Sequence, residues 1–569
     1  MKSVSLLSSG RQIIIILLTY FIFAGIFGFA YRYALNPDGI SHLRLAGYIA
    51  EGHFYYSIVS GWSPLLSWLI APLISMGFEG QFAARIAIAL SGAGLLGCTC
   101  MFANRLNLSE KIKFIALVVS ALLISFWTIQ FIAADVLVAF LSLLYFYFVT
   151  ASDILKNRKV PFICGIVGGV SYLAHHYAFP FFLVHFPASL FLKGYIDRDK
   201  DCFPLKKILA SWGLGIAGFA IIASIWIGTM SIRYGTFTIS SKGPIAHAAM
   251  GPRDIDRRPT HFYGGLHKPK NEYSIHVFED PSGLKFNTWS PFESKEYFNH
   301  QMKIIRENIL YVRDHFITLS PFFTHASILV LIALAPLSLL LNKNTSKMTY
   351  MYFWIVMTFL IYCSGYILLI ARSPRRFYVL MIVFLLLAFH LLEMFNNVLS
   401  TVISARRKKV MTTYLLFIAC SAFVIKPGIE FAKAMKNVIM VDQVNPYGEI
   451  AEKIRSIQFP TPYAIIRSSQ KPPTDLYIAY FLNKQLLGRP LSSDAEGISK
   501  ELLAAGAKSL LVFDHPEIVT TLKQNKMYIH LGTIRFNNVK KYSKTVNINI
   551  RDHEILTGWD SEVTIFKLN

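Results

Sequence analysis

The sequence predicts an α-helical polytopic membrane protein with about eleven transmembrane helices and a small C-terminal α/β domain outside the membrane. Of its 569 residues, 54% are hydrophobic and only 16% are charged, whereas soluble domains carry about 25% charged residues. The apolar residues fall in blocks of roughly 17–22, the length that crosses the hydrocarbon core of a bilayer. The 45 Phe and 28 Tyr exclude a disordered chain, because such chains are poor in aromatic residues.

Basic clusters between the apolar blocks predict the topology. Lys and Arg mark the cytoplasmic side because they resist translocation. The predicted spans are 13–30, 82–103, 112–130, 135–152, 160–177, 178–193, 208–230, 322–341, 349–370, 377–397 and 410–426. The basic clusters are Arg105 to Lys113, Lys156 to Lys159, Lys193 to Lys207, Lys343 with Lys347, and Arg406 to Lys409. The N-terminus is therefore expected inside and the C-terminus outside, and the net charge of +23 reflects topology rather than nucleic-acid binding.

Two domains follow from this pattern. Residues 1–426 form a transmembrane domain with outer loops 31–80 and 231–320, and residues 427–569 form an extracytoplasmic α/β domain. In the first loop, the apolar run Pro64–Gly77 is too short to span and predicts a helix at the membrane interface. In the C-terminal domain, helix-like segments alternate with strand-like ones: Gly448–Ile457, Tyr463–Ile466, Asp494–Ala505, Ser509–Phe513 and Val546–Ile550.

Asp38 follows the first span, in Asn36-Pro37-Asp38-Gly39, and precedes a run with helical spacing that ends at Glu51. Asp is a favoured N-cap, so one interpretation is that Asp38 only caps this helix. The other is that a partly desolvated carboxylate at the membrane surface accepts a proton from a hydroxyl. The polar face of the helix would then line a cleft with Ser41, Arg44, Tyr48 and Glu51.

Asp135 opens the fourth predicted span, on the same side as Asp38. It is either a cap or the second carboxylate of a site shared with Asp38.

The loop Arg372-Ser373-Pro374-Arg375-Arg376 carries three Arg on the outer side, against the usual orientation bias. Arg grips phosphate bidentately. The loop therefore indicates either a specific lipid-phosphate site or contact with lipid headgroups, which are also phosphates.

Three weaker signals remain. His175 and His176 are candidate metal ligands or hydrogen-bonding groups for a substrate, although interfacial packing is the more common role of such a pair. The stretch Trp289–Phe298 either covers a substrate or folds its loop. Gly92–Gly97 matches a dinucleotide-binding fingerprint, but it lies inside a predicted span, where close helix packing explains it better.

Several of these elements, in this order and on this side of the membrane, resemble the GT-C membrane glycosyltransferases, in particular bacterial enzymes that use polyprenyl-phosphate sugars. The resemblance is closest to transferases of envelope lipids, such as the lipid A aminoarabinose transferase family, and more distant to protein O-mannosyltransferases. It extends to about residue 400. Its elements are Asp38-Gly39, Arg44-Leu45-Ala46, Glu51-Gly52, Ser63-Pro64-Leu65, Ala84-Arg85, Asp135 with Leu137, Phe140 and Leu144, Gly168-Gly169 with Leu173 and Tyr177, and Arg376-Phe377-Tyr378.

This resemblance implies an inverting transfer of a sugar to an acceptor hydroxyl on the outer face of a bacterial inner membrane. Asp38 would be the general base, Asp135 would bind the acceptor, the sugar or a metal, and Arg375 or Arg376 would stabilise the leaving phosphate. The implied substrate-binding residues are Arg44, Glu51, His175, His176, Arg372, Arg375, Arg376 and Tyr378. The first loop has one Asp where many relatives have an Asp-Glu pair, so no metal is firmly predicted, and a divalent metal stays open.

Two other function classes fit the sequence less well. Secondary transporters bury ionisable residues near the midplane of their spans, whereas the predicted spans are nearly free of charge. A lipid-linked polysaccharide ligase or polymerase would rely on outer Arg and His without needing Asp38. The sequence identifies neither the sugar nor the acceptor, which is a lipid, a polysaccharide or a protein.

Overall fold

The structure is a computed structural model that describes residues 2–197, 203–252, 265–284, 288–320, 346–399, 404–440, 446–467, 474–539 and 559–569. The chain forms two compact units. The membrane unit comprises Met1–Tyr31, Arg85–Ile239 and Ser294–Met440, and the α/β unit comprises Arg32–Ala84, Ser240–Glu293 and Val441–Asn569. These boundaries differ from the predicted ones, because most of both outer segments belongs to the same unit as the C-terminal tail.

Helices make up most of the described chain. In chain order they are α1 (Lys2–Ala30), α2 (Pro37–Ala50), α3 (Phe54–Ser57), α4 (Leu65–Ser75), α5 (Gly80–Arg105), α6 (Glu110–Gln130), α7 (Asp135–Val149), α8 (Lys159–Ala174), α9 (Ala178–Ile196), α10 (Leu205–Tyr234), α11 (Lys242–Ala249), α12 (Lys295–Leu319), α13 (Ser346–Leu368), α14 (Tyr378–Leu399), α15 (Ala405–Met440), α16 (Pro446–Arg455), α17 (Thr474–Leu482), α18 (Ala495–Ala505) and α19 (Pro516–Gln524).

Seven helices in the described part of the chain are long and apolar enough to cross a membrane. They contain Arg11–Ala30, Gly80–Arg105, Glu110–Ile129, Ala178–Ile196, Leu205–Tyr234, Tyr350–Leu368 and Pro374–Asn397. The shorter apolar helices Asp135–Val149, Lys159–Ala174 and Val410–Ile425 coincide with three more predicted spans. The predicted span 322–341 lies outside the described residues. The predicted helical membrane fold is confirmed, and α4 is the short apolar helix expected in the first outer loop.

Glycines permit close helix contacts in the membrane unit. A Cβ on Gly165 of α8 would lie 2.0 Å from the Gly215 carbonyl oxygen of α10. A Cβ on Gly92 of α5 would lie 2.3 Å from the hydroxyl of Tyr20, which donates a hydrogen bond to the Ala89 carbonyl at 2.6 Å. Gly92 therefore serves helix packing, as the sequence predicted, since small residues let membrane helices approach closely.

Within the described residues, a six-stranded sheet organises the α/β unit. Its strands are β1 (Gly265–Leu266), β2 (Tyr463–Arg467), β3 (Leu486–Arg489), β4 (Ser509–Phe513), β5 (Tyr528–Val539) and β6 (Trp559–Leu568). Their order is β1-β3-β2-β4-β6-β5, and β2 pairs in parallel with both β3 and β4. Side chains alternate between the two faces, so Tyr463 and Ile465 join one core and Ala464 and Ile466 join the other.

Helix α2 belongs to one of these two cores. Ile40, Leu45 and Tyr48 of α2 are buried in the same cluster as Ile454 of α16 and Ile478 of α17. The first outer segment and the tail therefore fold as one body, although about 400 residues separate them in sequence.

Most of the predicted outer elements are confirmed. Predicted helix 40–51 corresponds to α2, and the tail segments correspond to α16, β2, α18 and β4. The predicted strand Val546–Ile550 lies outside the described residues. Two predictions are corrected: segment 231–320 contains the 25-residue helix α12, and the last membrane helix, α15, continues past 426 to Met440.

Candidate active site

Asp38 occupies the first turn of α2. The N-cap of this helix is Asn36, and Pro37 takes the first helical position. The interpretation of Asp38 as the N-cap is therefore wrong. Pro at that position is preorganised for a helix and removes an N–H that would otherwise lack a helical partner. The half-buried Asp38 lies in the first turn, near the positive end of the helix dipole, a position that favours acidic side chains.

Arg44 connects α2 to other segments of the α/β unit. Its Nε lies 3.6 Å from Oε1 of Glu279. Its Nη1 donates to Oδ1 of Asn483 at 2.8 Å, and its Nη2 donates to the Tyr273 carbonyl at 2.7 Å. The guanidinium predicted to contact substrate is thus bound to protein groups from both the second outer segment and the tail.

Glu279 was not anticipated from the sequence, and its side chain is only 2% exposed. Its Oε2 accepts a hydrogen bond from the Tyr48 hydroxyl at 2.5 Å, and its Oε1 accepts one from the Ile275 amide at 2.9 Å. Burial raises the pKa of Glu279 above its ordinary value, and the Arg44 charge and these hydrogen bonds offset the rise only in part. Glu279 and Arg44 together fix α2 against the 273–284 segment.

An aromatic cluster lies one turn beyond Asp38. His42 is buried, its Nδ1 is 3.2 Å from the Ser67 hydroxyl, and its ring meets Trp62 edge-on at 5.4 Å. Trp62 donates from Nε1 to the Phe278 carbonyl at 3.0 Å. The Lys242 ammonium lies 4.0 Å from the centre of the Trp62 ring, which adds a cation–π contact. These contacts hold the first half of α2 rigidly.

The remaining predicted positions of the α/β unit have different surroundings. Glu51 is exposed and ends α2 as its C-cap. Trp289 stacks on His247 with ring centres 4.5 Å apart and donates to the His247 carbonyl at 2.9 Å, which supports a role in folding its loop. An apolar cavity of 290 Å³ is lined by Ile49, Phe54, Trp68, Ala71, Pro72 and Ser75.

In the membrane unit, the structure brings Asp135 and Arg375 together. Asp135 is the first residue of α7, after the N-cap residue Ala134. Its Oδ2 lies 3.5 Å from Nε of Arg375, and the two side chains are 15% and 17% exposed. The Arg375 guanidinium also lies 4.6 Å from the centre of the Phe131 ring. The result is a partly buried ion pair at one end of α7.

The other two arginines of this loop differ in exposure and in partners. Arg376 donates from Nη1 to the Ile370 carbonyl at 2.5 Å, and its own carbonyl accepts a hydrogen bond from the Tyr362 hydroxyl at 2.9 Å. Arg372 is 53% exposed, with Nη2 3.8 Å from Oε2 of Glu307. The 3-10 turn over Pro374–Phe377 carries Arg375 and Arg376, which are partly buried, whereas Arg372 lies before the turn and is exposed.

Tyr378 follows this turn and is buried. Its ring stacks on Trp127 with centres 4.2 Å apart and planes 9° apart. The Tyr378 ring thus packs against α6, whereas the resemblance assigned this residue to substrate binding.

His175 and His176 connect α8 to α9. His175 is the C-cap of α8, and its Nδ1 accepts a hydrogen bond from the Tyr177 amide at 3.2 Å. The neighbouring Tyr177 donates to the Tyr362 carbonyl at 2.7 Å and packs on Tyr366 at 4.2 Å. Within the described residues, no group of three His, Cys, Asp or Glu side chains is arranged to hold a metal ion.

Asn308 of α12 is a further residue that the sequence did not reveal. Its Nδ2 donates to the carbonyls of Ile367 at 2.9 Å and Leu369 at 3.2 Å, and its Oδ1 accepts from the Ala371 amide at 3.1 Å. One buried amide thus fixes the backbone that leads into the arginine loop. The sequence offers one signal for Asn308, its spacing of seven residues from Gln301. That spacing places the two polar side chains on one face only if the segment is a helix, and the sequence did not predict α12.

The candidate residues are divided between the two units. Asp38, Arg44 and Glu51 belong to the α/β unit, whereas Asp135, His175, His176, Arg372, Arg375, Arg376 and Tyr378 belong to the membrane unit. A single site containing both Asp38 and Asp135 remains a prediction.

The chain matches no protein-family model, and no curated protein matches it in sequence. Its structure is similar to that of ArnT from Cupriavidus metallidurans bound to undecaprenyl phosphate, with a TM-score of 0.51, 12% sequence identity and coverage of 96% of this chain and 97% of that one. It is also similar to ArnT from the same organism in the apo state, with a TM-score of 0.51, 12% identity and coverage of 99% and 98%. Because these likenesses span nearly the whole of each chain, the chain has the fold of ArnT, and the resemblance seen in the sequence is confirmed at the level of the fold.

Proposed function

We propose that this protein is an inverting glycosyltransferase that moves a sugar from a polyprenyl-phosphate donor to a hydroxyl of an envelope acceptor. The observation that carries the proposal is the full-length fold likeness to ArnT, one structure of which contains undecaprenyl phosphate. Fold alone does not determine chemistry, so the roles below rest on the individual residues.

Arg375 and Arg376 are proposed to bind the donor phosphate. A guanidinium has five N–H donors, so Arg375 can hold Asp135 and a phosphate oxygen together. The partial burial of Arg375 and Arg376 strengthens their attraction to a phosphate, because the local dielectric constant is lower than in water. As the sugar–phosphate bond breaks, negative charge grows on the phosphate, and fixed donors aimed at developing charge are a major source of catalysis. Asp135 would orient Arg375.

Asp38 is proposed as the general base. It would take the proton of the acceptor hydroxyl while that oxygen forms a bond to the anomeric carbon. The bond from this carbon to the phosphate oxygen would break on the opposite side, and its electron pair would leave with the polyprenyl phosphate. The configuration of the sugar would therefore be inverted.

The other predicted residues have secondary roles in the proposal. The partly or largely exposed Glu51, His175, His176 and Arg372 would contact the sugar or acceptor. Arg44 and Tyr378 would support the site indirectly, because both side chains already contact protein groups. Arg44 fixes α2, and Tyr378 packs on Trp127 of α6. We place the protein in a bacterial inner membrane with a cytoplasmic N-terminus, on the basis of the basic clusters.

The test uses purified full-length protein in lipid, a panel of isotopically labelled polyprenyl-phosphate sugars and an envelope extract. Asp38→Asn is expected to lower transfer by about 10²–10⁴-fold, the usual contribution of a general base, while donor binding persists. The matched control is Glu110→Gln, another acid in the first turn of a helix on the predicted cytoplasmic side, which should retain full activity. Transfer unaffected by Asp38→Asn would remove Asp38 from the chemistry. Substrate uptake into vesicles without any transfer would favour a transporter instead.

A further inference from the structure

The surface of α12 is divided into strips of different chemistry. Phe298, Met302 and Ile309 are each roughly half exposed, and their spacing places them on one strip of the helix. The exposed Lys303, Arg306 and Arg313 form the adjacent strip. The acidic residues Glu296, Glu307 and Asp314 share a third strip on the far side of the basic one.

The face of α12 opposite its basic strip fixes the helix at the end of a membrane span. Gln301 donates a hydrogen bond to the carbonyl of Leu368 at 2.9 Å, and Leu368 is the last residue of the span Tyr350–Leu368. Asn308 binds the backbone of Ile367, Leu369 and Ala371, and His315 Nε2 lies 2.8 Å from the Ala371 carbonyl oxygen. Because α12 is attached to the backbone where this span ends, it lies at the level of a membrane boundary.

A helix in that position with an apolar strip beside a basic one has the features of an interfacial helix. The apolar side chains can enter the boundary between headgroups and acyl chains, and the long Lys and Arg side chains can reach the phosphates. Basic side chains near a membrane surface also favour anionic phospholipids over zwitterionic ones.

We propose that α12 docks on the bilayer surface through its apolar strip and recruits anionic phospholipids through Lys303 and Arg306, whereas Arg313 is paired with Asp314 at 2.7 Å. The same helix then connects the lipid surface to the backbone that carries the arginine loop. This inference rests on the membrane fold and not on the proposed reaction, so either can fail without the other.

The experiment places the photoreactive residue p-benzoylphenylalanine at Met302 in the full chain, reconstituted in vesicles of phosphatidylcholine and phosphatidylglycerol. Irradiation should give lipid adducts, which mass spectrometry identifies. The fraction of adducts that contain phosphatidylglycerol should exceed the fraction of phosphatidylglycerol in the vesicles. The same photoreactive residue at Glu296, on the acidic strip, should give several-fold fewer lipid adducts.

The charge requirement is tested in the Met302-labelled chain with Lys303→Ala and Arg306→Ala together. The enrichment of phosphatidylglycerol should fall about fivefold or more, since each basic residue near the surface contributes about that factor. Lys500→Ala, which removes an exposed lysine of the α/β unit, should leave the enrichment unchanged. If the double variant does not fold, high salt should lower the enrichment in the parent chain by screening. Adducts to protein instead of lipid, or lipid adducts of bulk composition, would overturn the proposal.

Discussion

At the scale of single residues, Asp135 and Arg375 form a partly buried ion pair in the membrane unit, and its proposed role is to bind the donor phosphate. Each side chain compensates the charge of the other in a region where an isolated ion would be costly. The fork of Arg375 is also the geometry that phosphate recognition favours. Lys at this position would keep the charge but lose the bidentate geometry.

Arg375→Lys is therefore expected to weaken the apparent affinity for the polyprenyl-phosphate donor and to lower kcat by about 10²-fold, comparable to losing one oriented donor at a developing charge. Arg406→Lys changes an exposed arginine on the predicted cytoplasmic side and should change kcat by less than about threefold, because the proposed site lies on the other side of the membrane. Steady-state kinetics with a synthetic donor would separate the two. An unchanged kcat in Arg375→Lys would show that the charge at this position is sufficient and that the bidentate geometry of Arg375 is not used.

Glu279 shows how a single carboxyl can hold an element in place. Glu279→Ala leaves Arg44, Tyr48 and the Ile275 amide without their common partner, so we expect a loss of about 3 kcal/mol in the free energy of unfolding of the α/β unit. Glu562→Ala, whose partner Arg535 is 81% exposed, should cost less than about 1 kcal/mol. Thermal unfolding in detergent measures both, and similar losses in the two variants would contradict the role of Glu279.

The same residue predicts a dependence on pH. Burial raises the pKa of Glu279 above the ordinary 4.5, so its folded form binds a proton more readily than its unfolded form does. Its contribution to stability is full below the ordinary pKa and is lost as the pH rises through the raised value. The stability advantage of the wild type over Glu279→Gln should therefore be largest at the acidic end and narrow toward neutral pH.

At the scale of elements, the crossing of α8 and α10 depends on glycine. A Cβ on Gly165 would meet a backbone carbonyl at 2.0 Å, whereas a Cβ on Gly213 of α10 would meet nothing within 4 Å. A backbone atom cannot move aside as a flexible side chain does, so the two helices would have to separate.

Gly165→Ala is thus expected to lower the unfolding temperature of the membrane unit, with a cost of about 1–3 kcal/mol. Gly213→Ala should be neutral or slightly stabilising, because alanine is the better helix former by about 1 kcal/mol. Unfolding of the two purified variants, followed by circular dichroism, provides the comparison. A stable Gly165→Ala variant would show that α8 and α10 can cross at a greater distance without loss.

At the scale of the whole molecule, the chain builds its α/β unit from three segments distant in sequence. The shared core contains Ile40 of the first outer segment, Ile275 of the second and Ile454 of the tail. The helix that carries Asp38 therefore depends on the tail for its stability. The tail therefore has a structural role, because it completes the core in which α2 is buried.

Ile454→Asp would place an unpaired charge in this core, at a cost of several kcal/mol. We expect it to expose residues 32–84 to limited proteolysis, with cleavage sites identified by mass spectrometry. Ile529→Asp changes a side chain that is 42% exposed and should leave the protease pattern of the wild type. Cleavage confined to the tail in Ile454→Asp would show that the first outer segment folds without it.

The sequence by itself determined the membrane class, the approximate positions of ten of the eleven predicted spans, α2, α4 and most described elements of the tail, and it pointed to Asp38, Asp135 and the arginine loop. These follow from local signals, since apolar block length, residue periodicity and charge placement are written along the chain. Only the tertiary structure decided which segments share a core and that Arg375 pairs with Asp135. It also showed that protein groups hold Arg44 and Tyr378. Glu279 and Asn308 emerged only there as the buried groups that fix α2 and the arginine loop. Those contacts join residues from about 60 to 440 positions apart, and no local pattern encodes which distant group will satisfy a buried charge or amide.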